Sequence, residues 1–311
     1  MKGLLVVLAA SFSLSAQDIE VLPVQGSVYM LAGAGANVTL QVGRSGVLLV
    51  DTPAPALSGK VIAAIRKLSE KPVRYIINTA ADADHVGGNE SLAKVFGSAT
   101  EVSVVNTPGA TATQTVAILA HQKLLDRMSA PGASRPPWPT VAWPTDTFVG
   151  DEKEVYYNGE GIQILHQPAA HTDGDSIVYF RRSDVVSAGD IFNATSYPVI
   201  DLERGGSLQG VIAGLNRILD LAIPAHHEEG GTYVIPGHGR ICDEFDVLEY
   251  RDMVTIIRDR IQALIKNGMT LEQVKAARPT LDYDPQYGAA TGAWTTDMFV
   301  EAAYRSLTRK K

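Results

Sequence analysis

At 311 residues, with 45% hydrophobic and 20% charged residues, the chain carries enough apolar material for a sizeable core and no tract that composition marks as disordered. Cys242 is the single cysteine, which excludes internal disulfides and thiolate clusters and leaves histidines and carboxylates to build any metal site. The net charge of −7, one unit more negative once Lys2 is removed, and the lack of long basic runs argue against nucleic acid as a partner.

The chain opens MKGLLVVLAASFSLSA, with one lysine, an apolar run from Leu4 to Ala10 and small residues before Gln17. That pattern predicts a secretory signal peptide over residues 1–16, cleaved after Ala16, and so export to the periplasm or beyond. The apolar run is shorter than the roughly 20 residues a membrane helix needs, and no later stretch is longer, so no integral span is expected.

From Ser27 to Pro53, short β-branched runs punctuated by glycine predict antiparallel strands joined by turns. SGKVIAAIRKLSEK has helical periodicity, with Ser58 as a candidate N-cap, and VRYIINT is a short buried strand that ends where NTAADADHVGGN begins. Helices are predicted over residues 90–96 and about 111–128, the second containing His121. The proline-rich stretch from Pro131 to Thr145 predicts a surface loop, whose Trp138 and Trp143 either contact substrate or pack the loop down. EVYYNGEGIQILHQ and SIVYFRRSDVVSAGD predict a second strand series with a turn at Arg181 to Asp184. A helix from Ser207 to Leu221, a strand ending in PGHG, and a long amphipathic helix capped by Asp243 and stopped by Gly268 follow. Residues 269–311 form a small helical extension.

Four strand ends carry polar residues that packing does not explain: ADADH at 81–85, PAAHTDGDS at 168–176, SAGDIF at 187–192 and PGHG at 236–239. Polar groups gathered on loops at one edge of a sheet would define one site. In this order they resemble the metallo-β-lactamase superfamily, over nearly the whole mature chain to about residue 268. The resemblance implies an α/β (α+β) fold, a four-layer αβ/βα sandwich over residues 17–268, with a one- or two-metal centre.

In that family the first loop reads H-x-H-x-D-H-x-G-G-N. Asp84, His85, His171, Asp190 and His238 match the family positions, while Ala80 and Asp82 stand where the two leading histidines belong. The resemblance therefore implies a complete second site of Asp84, His85, Asp190 and His238 and an altered first site. Two carboxylates and two imidazoles suit Zn²⁺ foremost, with Mn²⁺ or Fe²⁺ also accommodated. Ala80 has no lone pair. Asp82 has three roles open to it: ligand of a second ion with His171, base beside a water, or a carboxylate that only orients the loop or His171. Gly87 and Gly88 permit a sharp loop-to-helix turn, Asp173 and Asp175 form turns or orient ligands, and His166, His226 and His227 are surface or packing residues. Asn193 and Tyr197 follow Asp190 closely enough to line a substrate pocket, as Trp138 does on its own loop.

The resemblance implies a metal-dependent hydrolase that uses a metal-activated water on a small-molecule acyl substrate such as a β-lactam, lactone, ester or thioester. Its oligomeric state is not legible. The rival expectation, motivated by the two missing histidines, is a pseudo-enzyme that keeps the fold as a binding or interaction protein.

Overall fold

The computed structural model describes residues 18–97, 101–103, 111–113, 115–131, 136–227 and 230–309, so the proposed leader lies outside it. Strands β1 (Glu20–Gln25), β2 (Val28–Ala32), β3 (Val38–Gly43), β4 (Gly46–Val50) and β5 (Val73–Ile77) follow one another in the first sheet. β6 (Glu101–Ser103) and β7 (Thr111–Thr113) form a separate antiparallel pair, and β8 (Ala117–His121) and β9 (Asp146–Phe148) complete the first sheet in the order β1-β2-β3-β4-β5-β8-β9. The second sheet runs in chain order through β10 (Glu152–Tyr157), β11 (Glu160–Gln167), β12 (Asp175–Phe180), β13 (Val185–Ser187), β14 (Tyr233–Ile235) and β15 (Cys242–Asp243).

Strand alternation sends one set of side chains from each sheet into a shared middle layer. Met30, Leu48, Val50 and Ile77 there meet Ile162, Ile164, Val178 and Phe180. The opposite face of the first sheet packs Leu40, Leu49 and Ile76 on Val61 and Ile65 of α1 (Ser58–Leu68) and on Leu92, which follows the single turn α2 (Ala83–Val86) in α3 (Asn89–Phe96). After α4 (Gln122–Ser129), the outer face of the second sheet packs on α5 (Leu208–Leu221) and α6 (Glu244–Lys266). The layers are those of the expected αβ/βα sandwich. No helix among the described residues is long and apolar enough to cross a membrane.

Three local expectations change. The stretch expected as one helix over 111–128 holds β7, then β8 followed by α4: AILAH inserts parallel between β5 and β9, and burial of that strand overrides its alanine content. His121 therefore ends a strand and caps α4, its ring nitrogen accepting from Lys123 N. Ser58 is the first residue of α1 rather than its cap, because a 3₁₀ turn at Pro55–Leu57 leads directly into the helix.

The C-terminal extension comprises α7 (Leu271–Ala276), α8 (Asp284–Tyr287) and α9 (Thr296–Thr308). It shares the core of the second half, with Val274, Phe299, Val300 and Ala303 buried against α5 and α6.

Candidate metal centre

β5 delivers its chain to the edge where both sheets end, and two asparagines close the loop that follows. Asn78 Nδ2 donates to His85 O (3.0 Å), and Asn89 Nδ2 donates to Asn78 Oδ1 (2.8 Å), so the ends of NTAADADHVGGN are fastened to each other. Gly87 is required by close approach: a Cβ there would lie 2.2 Å from Ala83 O and 2.5 Å from Pro55 Cδ. The result is a single helical turn, α2, that presents Asp82, Asp84 and His85 from one short segment.

β13 runs into a 3₁₀ turn at Gly189–Ile191 that carries Asp190. β14 brings His238, whose loop is pinned by Asn37: Asn37 Nδ2 donates to Pro236 O and to Gly239 O, both at 3.0 Å. His171 comes from the turn between β11 and β12.

The side chains form two groups: Asp84, His85 and His238 on one side, and Asp82, His171 and Asp190 on the other, with the ligand atoms of each group within 4.8 Å of one another. Asp190 joins the two. Its Oδ1 is 3.1 Å from His85 Nε2 and 3.5 Å from His238 Nε2, and its Oδ2 is 3.8 Å from His171 Nε2. His238 Nε2 is also 3.5 Å from Asp84 Oδ2. All six residues expected from the sequence as metal ligands thus converge.

His85 tests whether the group fits a cation. Its Nδ1 lies 2.8 Å from Asp51 Oδ2, and the same carboxylate accepts from Thr79 N (2.7 Å) and from Thr79 Oγ1. Asp51 therefore keeps the proton on Nδ1 and turns the Nε2 lone pair inward. That Nε2 is fully buried and has no hydrogen-bond partner. A buried imidazole nitrogen that makes no hydrogen bond, 3.1 Å from one carboxylate and flanked by a second imidazole and a second carboxylate, fits a divalent metal ion.

The charges of the centre stabilise one another. Burial would lift the Asp190 carboxyl, but the charges of His85, His171 and His238 around it hold it far below the ordinary range. Burial would likewise depress His85, yet Asp190 and Asp51 hold it well above the usual imidazole value. For His171, burial is outweighed by the hydrogen bond to Asp82 and the charges of Asp175 and Asp190, which keep it up at about 10.

Asp82 faces two cations at once. Its Oδ2 is 3.0 Å from His171 Nε2 and its Oδ1 accepts from Arg204 Nη1 at 3.0 Å. Burial raises its pKa, while the His171 bond and charge and then Arg204 bring it below the ordinary value. Ala80, in the first histidine position, is buried and contributes only a methyl group.

The expected substrate residues fare differently. Tyr197 is 1% exposed and its hydroxyl donates to Asp284 Oδ1 (3.0 Å) and Thr280 O (3.2 Å), so it anchors the C-terminal extension instead of lining a pocket. Asn193 is buried and uses Oδ1 to accept from Thr195 N (2.9 Å), while its backbone bridges to His238. It supports a ligand loop. Trp138 and Trp143 pack over Ala81, Val86, Leu124 and Met128, with Trp143 Nε1 donating to Trp138 O (2.8 Å). That is packing beside the first motif loop.

Buried Asp175 accepts from Thr172 N (2.7 Å) and so closes the turn, while Asp173 pairs with Arg127 Nη2 at 2.7 Å and ties that turn to α4. His166 stacks on His121, with ring centroids 3.5 Å apart, and His226 and His227 face each other in an exposed turn. Asp51, Asn37 and Arg204 escaped the sequence reading. Only Asp51 carries a signal in the sequence: like the four motif-bearing strand ends, it follows a continuous apolar strand.

A two-sheet αβ/βα sandwich with a His/Asp centre at the shared strand edge defines a class of mixed α/β proteins with a candidate metal site. The chain belongs to the metallo-beta-lactamase superfamily, whose family model matches residues 32–238. Among curated proteins it is similar to the linear primary-alkylsulfatase of Pseudomonas sp. (strain ATCC 19151), 24% identical over 277 residues, covering 77% of this chain and 50% of that one. It thus spans about half the length of that relative. Among solved structures it is similar to the stereoselective inverting sec-alkylsulfatase Pisa1 from Pseudomonas sp., with a TM-score of 0.64, 15% identity, and coverage of 92% of this chain and 50% of that one. DIM-1 metallo-beta-lactamase aligns with a TM-score of 0.55 and 14% identity, over 77% of this chain and 98% of its own. These structural likenesses speak to the fold.

Proposed function

We propose that the chain is an exported metal-dependent hydrolase of small-molecule substrates, in which Asp84, His85, Asp190 and His238 hold a Zn²⁺ ion, with Mn²⁺ or Fe²⁺ as substitutes. The observation that carries the reading is the buried His85 Nε2, which makes no hydrogen bond and lies 3.1 Å from Asp190 Oδ1, a carboxylate also approached by His238 and His171. When bound, such an ion supplies Lewis-acid polarisation and makes a water nucleophilic near neutral pH.

The protein's own groups supply the rest. Asp51 fixes the His85 tautomer and Asn37 fixes the His238 loop. Asp84, about a third exposed, is the most open carboxylate of its group and is placed to take a proton from an attacking water. His171 donates Nδ1–H to Val199 O (3.0 Å) and is held by Asp82 at Nε2, so the pair keeps a proton at Nε2 for a leaving group. Export rests on residues 1–16 alone.

The first substrate class is an activated acyl bond: a β-lactam, lactone, ester or thioester. A second, sulfate-ester hydrolysis, is supported by the alkylsulfatase similarity, which covers 77% of this chain. One experiment separates them: the mature protein, loaded in turn with Zn²⁺, Mn²⁺ and Fe²⁺, is assayed on a chromogenic β-lactam, a lactone, a thioester, a carboxylic ester and primary and secondary alkyl sulfates. Turnover of the alkyl sulfates alone replaces the acyl class with the second. No bound metal and no turnover under any loading defeats the hydrolase and leaves the binding protein.

A further inference from the structure

Arg204 sets a guanidinium 3.0 Å from Asp82 in the altered half of the centre, and it is held in place. Its Nε is 3.1 Å from Asp201 Oδ2, its backbone N donates to Asp201 Oδ1 (2.9 Å), and its carbonyl accepts from Asp173 N (2.9 Å) and from Arg127 Nη2 (2.7 Å). The two residues that follow are pressed against the His171 turn: a Cβ on Gly206 would lie 2.1 Å from His171 O, and one on Gly205 would lie 2.9 Å from Asp173 Cβ. The backbone that carries the guanidinium is thus fastened to the same turn that carries His171.

The charges of this half then offset one another. The family position at Ala80 offers a methyl, Asp82 adds a carboxylate, and the fixed guanidinium meets that carboxylate 3.0 Å away at Oδ1 while His171 takes Oδ2. A guanidinium stays protonated across the working pH range and presents planar N–H donors that suit a carboxylate. A divalent ion entering between Asp82, His171 and Asp190 would have to share Asp82 with Arg204, in a half-buried setting where like charges repel strongly.

We propose that Arg204 stands in for one metal ion: it neutralises Asp82, so the centre binds a single ion at Asp84, His85, Asp190 and His238. This rests on the metal-binding function proposed above. It assigns Asp82 to the charge pair with Arg204 and His171 and removes it from the ligand set.

The test is the metal-to-protein ratio of the mature chain after chelator stripping, saturation with Zn²⁺ and desalting, read by elemental analysis. Wild type is expected to hold one ion and Arg204→Met two, because Asp82, His171 and Asp190 are then free to act as three ligands. Arg204→Lys, which keeps the charge, is expected to stay at one, and the double variant Arg204→Met/Asp82→Asn to return to one. Two ions in wild type overturn the proposal without any variant, as does a Co²⁺ titration of wild type whose absorption changes continue to two equivalents. A folded Arg204→Met that stays at one ion also overturns it, with the metal-binding function intact. No metal in wild type overturns both.

Discussion

At the residue scale the centre depends on the groups that hold its histidines in place. Asp51 orients His85 through a 2.8 Å contact and is itself fixed by Thr79, in a backbone conformation (φ 64°) that non-glycine residues rarely adopt. Asp51→Ala is expected to weaken Zn²⁺ binding by about 10- to 100-fold, measured by chelator competition, because the Nε2 lone pair loses its orientation. Asp82→Ala is expected to keep one ion per chain while slowing turnover by about 100-fold or more, since His171 loses the carboxylate that holds its proton. Metal analysis and steady-state kinetics on the same preparation separate these two effects.

At the element scale, β8 and α4 meet at His121, whose ring stacks on His166 and caps the helix. Burial, then the neighbouring charges of His166 and Lys123, bring His121 down to about 4. The unfolded chain therefore binds more protons than the folded one between about pH 6.5 and pH 4, and stability falls as pH falls through that window. Urea unfolding from pH 7 to pH 4 is expected to show that loss, and His121→Asn, which keeps a capping acceptor without the titration, is expected to lessen it. A helix was the natural reading of an alanine-containing run here, because propensity is local. Strand pairing with Ile76 and Ile77 of β5, more than 35 residues away, decides otherwise.

At the scale of the whole molecule, the C-terminal helices complete the second half of the core. Phe299 stacks on Tyr197 with ring centroids 4.7 Å apart, and Tyr197 follows the turn that carries Asp190. Phe299→Ala is expected to cost about 3–5 kcal/mol in urea unfolding through the cavity it leaves. Tyr197, seven residues after Asp190, looked like a pocket residue from sequence proximity, but its side chain points into this core and its hydroxyl reaches the extension.

The sequence by itself made the sandwich and the convergence of Asp82, Asp84, His85, His171, Asp190 and His238 legible, because short-range patterns mark the strand ends and the resemblance to the family implies which of those ends meet. The departure at Ala80 and Asp82 was equally legible. What Asp82 touches was decided only by the tertiary structure: Arg204 lies 122 positions away, on a loop whose glycines are pressed against the His171 turn, and no local pattern records which cation a carboxylate will meet. The same holds for Asn37 and His238, which are joined through backbone carbonyls that carry no sequence signature. Long-range pairing of charges and lone pairs is a property of the folded chain, and the character of this centre rests on it.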